Sequence, residues 1–99
     1  MKYLYLVYVK WTPEAMSKGS EFFQKWINEH NKLCKENNVN PMWGGIPYTT
    51  VEESAFFYET DMELLDFHLF KNQKIFQIMG GGNIDYGNTH MFLAWPNLS

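Results

Sequence analysis

The chain contains no arginine: its eight basic residues are all lysine, set against eleven acidic ones, for a formal charge of −3 over 99 residues. Bidentate guanidinium grips on phosphate, carboxylate or guanine are therefore excluded. No basic field exists to hold a nucleic-acid backbone, so no nucleic-acid partner is expected. Cysteine is almost missing too. Cys34 stands alone, so no internal disulfide forms and the chain needs no oxidising compartment, which makes the cytoplasm the expected location. No apolar run approaches the ~20 residues of a membrane span, so no membrane association is expected. The short apolar stretch from Tyr3 to Val9 leads into Lys10 and Trp11 without a small-residue cleavage site, and reads as a strand. Repeats, linkers and low-complexity tracts are absent. The run Gly80-Gly81-Gly82 lacks the Lys-Ser/Thr of a phosphate loop and follows a helix where such loops precede one, so it reads as a helix stop.

What the chain does have is bulk. Hydrophobic residues make up 45%, with aromatics at 18% and charged residues at 19%, which fits a globular domain and excludes disorder. Residues 1–99 are expected to form a single domain. Tyr3 to Trp11 is β-branched and aromatic, a first strand. Thr12-Pro13-Glu14 combines an N-cap residue, proline at the first helical position and an acid in the first turn. The helix it starts should run to about Asn37, with an interruption near Gly19. Asn38 to Pro47, with Pro41, Gly44, Gly45 and Pro47, suits an irregular edge strand. Ala55 to Glu59 suits a more central one. Thr60-Asp61-Met62-Glu63 has the form of a capping box for a second helix reaching about Met79. A polar, flexible loop should then span Gly80 to Asn88, and His90 to Trp95 closes the chain as a last strand.

This order predicts an α+β fold, the ferredoxin-like β-α-β-β-α-β sandwich: a four-stranded antiparallel sheet with two helices on one face. Both faces of the predicted strands are apolar. In the first strand Leu4, Leu6 and Tyr8 oppose Tyr3, Tyr5, Val7 and Val9. In the third Phe57 opposes Phe56 and Tyr58, and in the last Phe92 and Ala94 oppose Met91, Leu93 and Trp95. Helices cover one face only, so the other should be covered by a partner sheet, most simply in a homodimer. With that element order, length and two-sided sheet, the chain resembles the dimeric α/β-barrel superfamily, which includes small monooxygenases, haem-degrading enzymes and muconolactone isomerases. The resemblance covers nearly the whole chain, is one of pattern, and implies a ligand between helices and sheet within each subunit. The haem-degrading branch uses an Asn, a Trp and a His on the second helix. His68 corresponds to that His by element, while the first strand holds no Asn, so the triad is not reproduced.

Two histidines are candidates by helix geometry. At about 100° per residue, His30 falls among Phe22, Phe23, Trp26, Ile27, Leu33 and Cys34 on the apolar side of the first helix. His68 falls near the centre of an inward arc marked by Leu64, Leu65, Ile75, Phe76 and Met79, with Asn72 beside it. Both lie roughly 10–12 Å from the same end of the sandwich at about 1.5 Å per residue, so their imidazoles should approach one another. His90 starts the last strand at the opposite end, and no three-histidine metal site is expected. The i, i+4 pair His30 and Cys34 shares a face, although a buried Cys34 would be inert. Trp43 and Tyr48 sit where rings can border a cavity mouth, and the hydroxyls of Tyr5, Tyr8 and Tyr58 need partners if buried.

Two classes of function follow. One is a small oxygenase or isomerase acting on an apolar or aromatic molecule. There His68 serves as base or haem ligand, His30 assists, Trp26, Trp43 and Tyr58 shape the pocket, and Tyr5 and Asn72 touch the ligand. Such chemistry requires no cofactor, and haem is the one the resemblance allows. The other is a non-catalytic ligand-binding or assembly module that uses the sheet face. No nucleophile motif or carboxylate cluster separates the two.

Overall fold

A computed structural model describes residues 2–45 and 52–97. It is an α+β structure with a four-stranded antiparallel sheet and three helices. Strand β1 (Lys2–Lys10) is free of proline and glycine and can donate and accept along both edges, and it lies inside the sheet. It pairs with β3 (Glu53–Thr60) on one side and β4 (His90–Asn97) on the other, and β2 (Val39–Gly45) pairs with β3 to give the order β2-β3-β1-β4. Both outer strands are irregular. The register of β2 against β3 steps from Pro41↔Tyr58 to Trp43↔Phe57, and that of β4 against β1 from Leu93↔Tyr5 to Trp95↔Leu4. The step at Ala94 breaks the strict alternation expected for the last strand, because an extra residue shifts everything beyond it.

Thr12 caps the four-residue helix α1 (Pro13–Met16), its Oγ1 accepting from Ala15 N at 3.1 Å. The expected interruption falls at Ser17–Lys18, after which α2 (Gly19–Glu36) opens on Gly19 at φ +80°, a conformation that favours glycine. Its buried side chains Phe22, Trp26, His30 and Cys34 recur every four residues and make one stripe. Helix α3 (Leu64–Gln73) starts later than expected. Thr60 ends β3, its Oγ1 accepts from Met62 N at 3.2 Å, and Glu63 caps the helix without a side-chain hydrogen bond, so no capping box forms. A 3₁₀ turn at Ile75–Gln77 follows α3. Tyr58 places both long helices on the same face of the sheet: its ring lies 5.5 Å from that of His30 on α2 and 5.4 Å from that of Phe67 on α3.

The segment after the second helix was expected to be a flexible loop, and it is docked. Ile84 bridges to Trp11, Thr12 N donates to Asn83 O at 3.0 Å, and Asp85 N donates to Lys10 O at 2.8 Å. Asn83 is buried, accepting from Lys18 Nζ at 2.8 Å and donating to Gly80 O at 3.1 Å. Polar composition alone does not make a segment mobile when its backbone groups are paired.

On the sheet face away from the helices, Leu4, Leu6 and Phe57 are half-buried. Tyr8 and Phe92 are 36% and 52% exposed there, with their rings edge to face at 6.2 Å. The two-sided apolar sheet of the sequence reading is present.

Candidate functional site

The α2 stripe meets the inward residues of β3 in a cluster around His30. Its Nε2 lies 2.6 Å from Tyr58 Oη and its Nδ1 3.0 Å from Asn31 Oδ1. With the Asn31 carbonyl accepting from Nδ1–H, Nε2 carries the lone pair and the Tyr58 hydroxyl donates to it; the tautomer is assigned from these partners. Trp26 stacks on the imidazole at 5.1 Å and 18°, and Phe56 closes the cluster at 5.0 Å from the ring. Cys34 Sγ is 3.8 Å from His30 Nε2.

Burial sets the protonation of every member. His30 is 1% exposed, and desolvation holds its imidazole below the ordinary value, partly opposed by the Asn31 hydrogen bond. Tyr58 is pushed well above its ordinary value by burial, with Cys34 adding to the effect. Burial pushes the Cys34 thiol up to about 12. Near neutral pH the cluster is therefore uncharged. Its imidazole has the lone pair of a base, but that lone pair is already taken by the phenol. Its thiol is not a nucleophile, since the thiolate is scarcely formed. One polar atom stands apart: Trp26 Nε1 is buried and has no hydrogen-bond partner among the described residues.

The structure separates the two histidines. His30 points inward as expected, whereas His68 lies on the exposed side of α3, its Nε2 3.1 Å from Asn72 Nδ2. Asn72 does adjoin His68, but outside the helix–sheet layer. The reason is a lost helical phase. The inward arc was drawn through Ile75 and Phe76, which are buried, but α3 stops at Gln73 and the 3₁₀ turn resets the rotation. Within α3 the buried residues are Phe67, Phe70 and Lys71, while Leu64 and Leu65 are exposed, Leu65 to 67%. The two imidazoles do not meet, and His90 is exposed at the start of β4.

Among the aromatic candidates, Tyr58 is the partner of His30. Tyr5 is also buried, donating to Met62 O at 2.7 Å and stacking on Phe67 at 4.3 Å. The side chain of Trp43 and the whole of Tyr48 lie outside the described residues. Sequence reasoning missed Lys71, whose amine sits 5.0 Å over the Phe76 ring, and buried Asn83. Lys71 carried a signal, lying four residues after Phe67 and next to Phe70. For Asn83, inside a polar loop, there was none.

Among the described residues no group of His, Cys, Asp or Glu side chains is arranged to hold a metal ion. Among the described residues no imidazole between helices and sheet is free to hold haem. The ring nitrogen of His30 that faces the core is taken by Tyr58, and His68 presents no imidazole to the space between helices and sheet. No helix among the described residues is long and apolar enough to cross a membrane. No family model, curated protein or solved structure matches the chain.

Proposed function

We propose that this chain is an assembly module: a ferredoxin-like domain of the dimeric α/β-barrel kind whose sheet packs face to face on the sheet of a second copy. The observation that carries the reading is the exposure of Tyr8 and Phe92 beside Leu4, Leu6 and Phe57, on the side of the sheet that no helix among the described residues covers. The strand order β2-β3-β1-β4, with α2 and α3 on the opposite face, supports the ferredoxin-like assignment. An apolar face of this kind is stabilised when a second sheet stacks about 10 Å away and removes it from water. A twofold pairing needs only one such patch, because each copy supplies the surface the other requires.

Sedimentation equilibrium at micromolar concentration tests the reading. A dimer that Phe92→Glu converts to a folded monomer is the expected result, and a parent protein monomeric throughout that range refutes it. One observation favours a second reading, in which a small aromatic ligand with a polar end lies between helices and sheet as the substrate of an oxygenase or isomerase. Among the described residues the buried Trp26 Nε1–H lacks an acceptor, which such a ligand would supply. A ligand-dependent shift of the Trp26 indole N–H resonance supports that reading, and indifference to aromatic ligands ends it.

A further inference from the structure

A groove of about 790 Å³ lies on the helical side of the molecule, between the flank of α2 and the 3₁₀ turn that follows α3. This volume is in the range of sites that hold small molecules, ~300–1,000 Å³. Leu33, Ile78 and Met79 supply its apolar surface, and Lys25, Glu29 and Lys74 its charges. Among the lining residues two cations stand against one anion, in a chain whose net charge is −3. Lys25 is held only loosely, 3.7 Å from Glu21 on an exposed turn, and Lys74 makes no ion pair within 4 Å among the described residues. Both ammonium groups can therefore turn to an incoming anion.

The backbone at Met79 gives a second reason to regard the groove as built. Met79 has φ +58° just before Gly80, in the left-handed region where glycine or asparagine is the easier residue. The chain nevertheless carries a long, adaptable thioether side chain there, 45% exposed and lining the groove. Strain retained at an exposed apolar residue points to a surface that is used.

We propose that this groove binds an amphiphilic anion, a carboxylate with an aliphatic or aromatic body. Lys25 and Lys74 hold its head, and Leu33, Ile78 and Met79 receive its apolar part. The site is independent of the sheet-to-sheet pairing, since it lies on the helical side.

The test is an NMR titration with sodium decanoate below its micelle concentration, following the Met79 methyl and the Ile78 methyls, with Phe92 as the reporter for the sheet face. Saturable shifts at Met79 and Ile78 are expected. The variant Lys25→Glu/Lys74→Glu should weaken binding about tenfold, the effect of reversing two exposed charges. Met79→Gly should weaken decanoate binding without lowering thermal stability, a separation that a purely structural Met79 would not show. Equal binding of decyltrimethylammonium, shifts confined to Phe92, or no shift up to millimolar decanoate would each overturn the proposal. None of these outcomes bears on whether the chain dimerises.

Discussion

Tyr58→Phe removes one oxygen from the centre of the protein and leaves the ring in place. The hydroxyl is a donor at 2.6 Å to His30 Nε2, and both side chains are buried, so in the variant a buried ring nitrogen keeps only the weak Cys34 thiol contact at 3.8 Å, with no route to bulk water. An orphaned buried acceptor costs about 1–3 kcal/mol. The short separation and complete burial of the phenol place the expected loss near ~2 kcal/mol, with no cavity term because only a hydroxyl is lost. For a domain of this size that corresponds to a fall in Tm of roughly 10 °C. Urea unfolding followed by tryptophan fluorescence measures it, at one fixed protein concentration so that any association contributes equally. The double variant Tyr58→Phe/His30→Leu should recover part of the loss, since it removes both polar partners together. If Tyr58→Phe lies within ~0.5 kcal/mol of the parent, the size of an ordinary surface substitution, the pair does not hold the core as described.

Three other outcomes are expected. Burial lowers the pKa of His30 from its ordinary 6.5, so the unfolded chain takes up a proton first as the pH falls. Stability should be complete above about pH 6.5 and decline as the pH drops toward the lower folded value, and His30→Gln should flatten that acid limb in urea midpoints measured across pH. Lys71 is buried over Phe76 without an ion pair among the described residues, and desolvation lowers its pKa. Lys71→Met should raise stability by about 1 kcal/mol, since the uncharged side chain of similar length escapes the desolvation penalty at the cost of a modest cation–π contact; an equal or lower urea midpoint would contradict this. The thiol of Cys34, pushed up to about 12, should resist a chromogenic disulfide reagent in the native state and react on denaturation. Rapid reaction with the native protein would show that α2 opens far more readily than its packing implies.

The sheet was legible in the sequence because its signals are local. β-branched and aromatic runs mark β1 and β3, and Pro41 with Gly44 and Gly45 marks an outer strand. The α2 stripe was legible for the same reason: eighteen helical residues keep one phase, so His30 was placed correctly. His68 was misplaced because two short segments, α3 and the turn at Ile75–Gln77, were taken as one rotation, and no propensity distinguishes a helix that ends at Gln73 from one that continues. The Tyr58–His30 bond was only half legible. The need of a buried phenol for a partner could be stated, but which imidazole met it depends on how α2 crosses the sheet. Asn83 is buried by tertiary docking of a loop, and the groove beside Met79 is formed by the approach of the 3₁₀ turn to α2, for neither of which one sequence holds a period to read.

The register steps on the two outer strands bear on the sheet-to-sheet pairing proposed above. Pro41 on β2 and Pro96 on β4 each lack a backbone N–H, and the ladder slips near each of them, at Met42 and at Ala94. A proline and a slipped register on each outer strand disfavour lateral growth into ribbons or fibrils. The face-to-face pairing proposed above would then use the broad surface of the sheet, where it can end at a closed number of copies.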